Sequence, residues 1–156
     1  MNNRILILMP LLLLCLVLNC KKDQPTAPET SIEQYGGTWT GTTGQGLPIY
    51  IHITQAGMID SLTVRISVYV GLSSCTGTFT KDSVCSLKNG SFVARVMLPG
   101  SSLVTRVRGS LSSSSSGSGT YDGYGGSFSL ICGSSFMIGT SGSLIGKASW
   151  TVSKSG

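Results

Sequence analysis

The sequence predicts an all-β domain over residues 35–156, an antiparallel sandwich or small barrel of about seven to nine strands. Three observations lead there. Apolar and polar residues alternate at period two through most of the segment. Turn signals break that alternation at intervals of roughly 8–12 residues, the spacing of a sandwich or barrel. No stretch repeats its apolar residues at helical spacing. About 120 residues is also one domain's length.

The elements follow in chain order. Ile49, Ile51 and Ile53 alternate with Tyr50, His52 and Thr54, and Gln55-Ala56-Gly57 ends that run. Leu62, Val64, Ile66, Val68 and Val70 alternate with Thr63, Arg65, Ser67 and Tyr69. These sets are rich in β-branched and aromatic residues, which suit a pleated, half-buried surface. Lys81-Asp82 suits a hairpin turn, and Lys88-Asn89-Gly90 carries the Asn-Gly turn signal. Phe92, Ala94, Val96 and Leu98 form a third set, closed by Pro99-Gly100. The serine-rich stretch from Ser112 to Tyr121 reads as a polar strand, with a flexible loop as the alternative. Long structureless insertions are uncommon in compact domains, which favours the strand. Ala148, Trp150 and Val152 close the pattern. Trp39 and Trp150 are expected to pack in the core or at a barrel end.

A leader and a spacer precede the domain. Arg4 is followed by 14 uncharged residues, Ile5–Leu18, containing Pro10. A spanning helix needs roughly 20 residues, so this is a signal segment over 1–19 rather than a membrane helix. Its end, Val17-Leu18-Asn19-Cys20, resembles the lipobox of bacterial lipoproteins, with Asn19 where Gly, Ala or Ser is usual. The resemblance implies a diacylglyceryl group on the Cys20 thiol, cleavage before Cys20 and acylation of the new amino terminus. Each buried CH₂ contributes about 0.8 kcal/mol, so two or more chains anchor stably without spanning. Residues 20–34, "CKKDQPTAPETSIEQ", are then a flexible tether, too polar to offset their own ordering. Lys21 and Lys22 stand where anionic head groups would be. The residue after Cys20 is not Asp; by the sorting rule of enteric lipoproteins this implies the outer membrane of the cell envelope.

Apart from Cys20, the mature chain holds Cys75, Cys85 and Cys132. An exported protein meets an oxidising compartment, and three cysteines allow one bridge. Cys75–Cys85 would be local, across a hairpin at Lys81-Asp82. Cys75–Cys132 would close a loop of about 56 residues and stabilise by about 4 kcal/mol in the chain-entropy picture. No C-x-x-C pair occurs and there is one His, so no metal or other cofactor is expected.

Gly37-Thr38-Trp39-Thr40-Gly41, Pro48-Ile49, Cys75 before Gly77-Thr78-Phe79-Thr80, Cys132 and Trp150-Thr151 form a series. It resembles a family of short exported bacterial β domains that open with G-x-W-x-G-T-T and close with a W-T strand. The resemblance covers most of residues 36–154. It implies Cys75–Cys132 as the bridge, leaves Cys85 extra and carries no activity. Gly37-x-Trp39 is also similar to the opening of lipocalins, in which a Trp near the first strand plugs the base of an eight-stranded cup.

Chemistry is sparse. The domain holds Asp60, Asp82 and Asp122, each beside an expected turn, and His52 on an outward strand face. Acid–base work needs two tuned groups close together. No nucleophile elbow, dinucleotide or phosphate-loop motif occurs. No enzyme is expected, and a contact between His52 and one of the Asp residues would be the sign against that expectation. Residues 35–156 carry eight Lys/Arg against three Asp, a net of +5. Arg65, Arg95, Arg106 and Arg108 sit at alternating strand positions, candidates for an anionic glycan, lipid or protein partner if their strands align. Interleaved aromatics are few, which argues against nucleic acid. The sequence thus predicts a lipid-anchored, non-enzymatic binding or structural module. A lipocalin-like carrier of a small apolar ligand, which requires an open cavity, is the first alternative; an enzyme inhibitor is the second.

Overall fold

The computed structural model describes residues 31–70, 73–123, 127–132, 135–140 and 148–156. The leader, Cys20, most of the tether and the Cys132 side chain lie outside them. A 3-10 turn, Ile32–Tyr35, comes first. The barrel strands are β1 (Gly37–Thr43), β2 (Pro48–Ile53), β3 (Met58–Val70), β4 (Ser73–Lys81), β6 (Ser91–Met97), β7 (Val104–Leu111), β8 (Ser116–Gly123) and β11 (Ala148–Lys154). The short β5 is Cys85–Ser86, while β9 (Ser127–Cys132) and β10 (Ser135–Thr140) form a hairpin of their own.

The eight barrel strands pair antiparallel in chain order, and the β2–β3 and β1–β11 ladders close the sheet on itself. The architecture is an up-and-down barrel. Each barrel strand neighbours the next one in the chain, and closure leaves no open edge among the eight. The ninth strand of the sheet, β5, is extra and pairs with β3 at Met58↔Ser86 and Ile59↔Cys85.

Strand positions follow the alternation. Ile49, Ile51 and Ile53 on β2, Leu62, Val64, Ile66 and Val68 on β3, and Phe92, Ala94 and Val96 on β6 all point inward and are buried. Asn89 and Gly90 both have positive φ, 50° and 74°, and Lys88 and Ser91 exchange backbone hydrogen bonds around them. That is the two-residue hairpin turn the Asn-Gly pair favours. The serine run divides. β7 continues to Leu111, the Ser113 hydroxyl accepts the N–H groups of Ser115 and Ser116 at 3.2 and 3.0 Å, and β8 starts at Ser116. The expected hairpin at Lys81-Asp82 is absent. β4 is already held by β3 on one side and by β6 on the other, through Thr80↔Met97 and Lys81↔Val96. The chain therefore crosses to the part of β3 that β4 does not cover, where β5 pairs.

The interior is organised around Trp150. Its register partner on β8 is Gly119, which faces Gly109 on β7. A Cβ at Gly109 would lie 2.3 Å from the indole, and one at Gly119 2.5 Å from it. The indole thus occupies space that any side chain at these two positions would need. Phe92, the register partner of Gly109, stacks on the indole with ring centroids 5.9 Å apart. Trp39 is fully buried at one end of the barrel and donates its Nε1–H to the Tyr35 carbonyl at 2.9 Å. Lys154, opposite Trp39 on β11, donates from Nζ to the Gln34 carbonyl at 3.1 Å. Carbonyls at the end of a short helical turn lack internal partners. Trp39 and Lys154 supply them, which fixes the turn across the base of the barrel.

Gly109→Ala should destabilise the fold by about 1–3 kcal/mol through overpacking against Trp150. Denaturant midpoints will measure it. Combined with Trp150→Leu, the loss should be less than additive; full additivity would show that the indole does not set the constraint.

Candidate functional site

The outer wall carries the titratable groups, and a β-bulge creates the most specific contact. His52 pairs with Ser61, yet the next pair is Ile53↔Ile59, so Asp60 is the extra residue on β3. A bulge re-aims the side chains around it. Here His52 Nδ1 lies 2.6 Å from Asp60 Oδ1. The carboxylate only accepts, so Nδ1 carries the hydrogen. That bond, received from His52, holds the Asp60 carboxyl below its ordinary value. The contact that would favour an enzyme is therefore present. The two side chains are 45% and 50% exposed, on a convex wall rather than in a cleft. Among the described residues the ring bonds to no hydroxyl that could serve as a nucleophile. Among the described residues the pair is an oriented imidazole with no nucleophile hydrogen-bonded to it.

Three of the four candidate arginines converge. Arg95 on β6 faces Arg106 on β7, and Arg106 faces Asp122 on β8. Arg108 Nη2 lies 3.5 Å from Asp122 Oδ2, and Arg95 Nε 3.0 Å from Asp82 Oδ2. Arg65 stands apart, opposite Thr78 on the β3–β4 ladder. The patch on β6–β8 is thus three guanidinium groups threaded by two carboxylates, and much of its positive field is spent internally.

The interior differs in kind. Among the described residues its buried polar groups are Thr43 and Thr105, besides Tyr121 and the indole nitrogens. Thr105 donates its hydroxyl to the Asp122 carbonyl. The Tyr121 hydroxyl and Trp150 Nε1 are buried without hydrogen-bond partners. The Thr43 hydroxyl already accepts from the N–H groups of Gln45 and Leu47. It is near enough to Tyr121 to offset part of the burial effect, and burial still pushes the Tyr121 phenol up to about 12. Two described concavities lie outside the barrel. One, of about 890 Å³, is bounded by Ile32, Tyr35, Gln55 and Asn89 at the base. The other, of about 430 Å³, lies between β5 and β6 beside Val84 and Val93.

Cys85 is a buried free thiol that contacts the Val93 carbonyl at 3.4 Å, and burial raises its pKa. Cys75 on β4 is buried and disulfide-bonded. Cys85 is therefore not its partner, and the local Cys75–Cys85 bridge falls because β5 pairs with β3 rather than β4. Among the described residues no three metal-ligating side chains gather. The His52–Asp60 contact escaped the alternation pattern, though one signal was there. Ile59 and Leu62 are both buried three positions apart, a phase slip that period two does not allow. Comparison with protein-family profiles, curated proteins and solved structures returned no match.

Two titrations test this geometry. By NMR, the Asp60 carboxyl should titrate below 3.8, and His52→Ala should return it toward that value. Asp60 and His52 would be uncoupled if the substitution left its midpoint unmoved. For Tyr121 the folded pKa is raised. Between pH 10 and about 12 the unfolded chain loses its proton first, so wild-type stability falls as pH rises. Tyr121→Phe should remove that component of alkaline destabilisation and be close to neutral at pH 7, since the hydroxyl it deletes is unpaired.

Proposed function

We propose that the chain is a lipid-anchored protein of the bacterial cell envelope, sorted to the outer membrane, whose barrel is a non-enzymatic binding module working through its outer wall. One observation carries the reading. Asp60, Asp82, Asp122, His52 and the arginines all stand on or beside the wall, while the described interior holds aromatic and aliphatic side chains with the hydroxyls of Thr43, Thr105 and Tyr121 and no carboxylate or imidazole. A catalytic site would need titratable groups in a water-excluding hollow. The anchor rests on the sequence Val17-Leu18-Asn19-Cys20. Ser31 borders the concavity at the barrel base, so the tether meets the domain at that end. The 11 residues from Cys20 to that point span at most about 40 Å, which keeps the base near the bilayer and directs the walls into the envelope space. The Cys75–Cys132 bridge is part of the proposal, and it would tie the β9–β10 hairpin to β4.

A second reading has its own support. The Tyr121 hydroxyl and Trp150 Nε1–H are unsatisfied inside an eight-stranded barrel. A barrel of that size holds either its own side chains or one small ligand, and both groups offer a hydrogen-bonding handle to a guest. Trp150, Phe92 and Trp39 fill part of the described interior, so this carrier reading depends on the space beyond them. Extraction of the purified protein with organic solvent, followed by mass spectrometry, should recover no stoichiometric small molecule. A stoichiometric apolar compound would favour the carrier.

Intact-mass analysis of the protein extracted from membranes tests the anchor. The expected mass begins at Cys20 and includes acyl chains, and Cys20→Ala should abolish both. An unacylated wild-type chain in the soluble fraction would overturn the anchor. A peptide map without reductant should join the peptides bearing Cys75 and Cys132 and leave Cys85 alkylatable after unfolding.

A further inference from the structure

Between the arginine patch and the His52–Asp60 pair, the described residues that face outward from β8, β11 and β1 are uncharged and mostly carry hydroxyls. The registers align Ser118, Thr151 and Thr42 across β8, β11 and β1, and Ser116, Ser153 and Thr40 in the row beside them. Five of the six are exposed and Thr40 is half-buried. The second row continues to Tyr50 on β2, paired with Thr40 and 52% exposed. Hydroxyls on neighbouring strands stand about 4.8 Å apart and those along one strand about 6.8 Å, a regular grid with the mesh of single pyranose rings.

We propose that this wall binds a neutral polysaccharide, with the chain's hydroxyls on the Ser/Thr grid and a pyranose C–H face on the Tyr50 ring. The inference rests on the reading of the barrel as a wall-binding module. Thr40 shares a hydrogen bond with Ser155 at 3.0 Å and Ser116 with Ser112 and Ser113 at 2.9 and 2.8 Å, so the open hydroxyls among these described residues are those of Ser118, Thr151, Thr42 and Ser153; each donates once and accepts twice, which matches a polyol. Thr is stiff at χ1, and short side chains lose little rotamer freedom on binding. An exposed tyrosine adds a flat apolar body with a polar tip. The grid offers no cation to an anionic polymer, whose natural target is instead the β6–β8 arginine patch. It also lacks the buried aromatic and Arg anchors that dominate protein–protein contacts.

The test uses the full-length lipoprotein in detergent micelles. Its retention is measured on cellulose, chitin and immobilised mannan, with polygalacturonate as the anionic control. Retention on at least one neutral polymer is expected, and it should persist at high salt. Thr151→Glu and Tyr50→Ala should each weaken it by about tenfold or more, whereas Thr151→Ser and the Arg106→Glu/Arg108→Glu pair should leave it intact. Unchanged melting curves will separate lost binding from lost fold. Absence of retention on all three neutral polymers would overturn the proposal, as would retention unaffected by Thr151→Glu. Salt-sensitive retention on polygalacturonate alone, abolished by the arginine variants, would also overturn it while leaving the wall-binding module standing.

Discussion

β1 pairs along both of its edges, with β2 from Gly37 to Thr42 and with β11 from Trp39 to Thr43. These two ladders turn an eight-stranded sheet into a closed surface, and the rest of the molecule answers to that closure. A closed sheet of eight strands encloses a volume that side chains must fill or a guest must occupy. Trp150 lies where β7 and β8 carry glycine, and Phe92 lies against it. The base must also be stopped, and Trp39 does this beneath a 3-10 turn whose carbonyls it shares with Lys154. Remove the β1 ladders and each of these contacts loses the geometry that makes it favourable.

Closure also separates the chemistry of the protein into two compartments. Inward positions are excluded from water and carry apolar groups, because an unpaired charge there would be costly. Outward positions carry all the described ion pairs: His52–Asp60, Arg95–Asp82 and Arg108–Asp122. The result is a molecule whose recognisable surface is its wall. Two orphaned polar atoms, on Tyr121 and Trp150, are the interior's departure from that division. They are where a buried water or guest would find hydrogen bonds.

The wall is not uniform. Around the barrel it passes from a cationic patch interrupted by carboxylates, through an uncharged hydroxyl grid, to the bulge that joins His52 and Asp60. Each zone is a consequence of register. Arg95 and Arg106 are eleven residues apart in the chain and adjacent on the sheet. Thr42 and Thr151 are separated by most of the domain and stand side by side. Asp60 reaches His52 because one extra residue on β3 shifts the phase between the inner and outer faces.

Much of this was legible in the chain itself. Period-two alternation in Ile49–Ile53, Leu62–Val70 and Phe92–Leu98 specifies strands with one buried face, because side chains on a strand point alternately to its two sides. Asn89-Gly90 specifies a tight hairpin because both positions need positive φ. The scarcity of His and acid groups also limits the chemistry before any coordinates are known. The choice of barrel over sandwich was not legible, nor was the route of the chain after Lys81. Local alternation fixes the face of a strand but not its partner. The carboxylates that neutralise Arg95 and Arg108, the phase slip at Asp60 and the alignment of the Ser/Thr rows all depend on pairings between distant segments. Such pairings are decided only when the whole sheet closes, since closure alone sets which strand lies beside which and in what register.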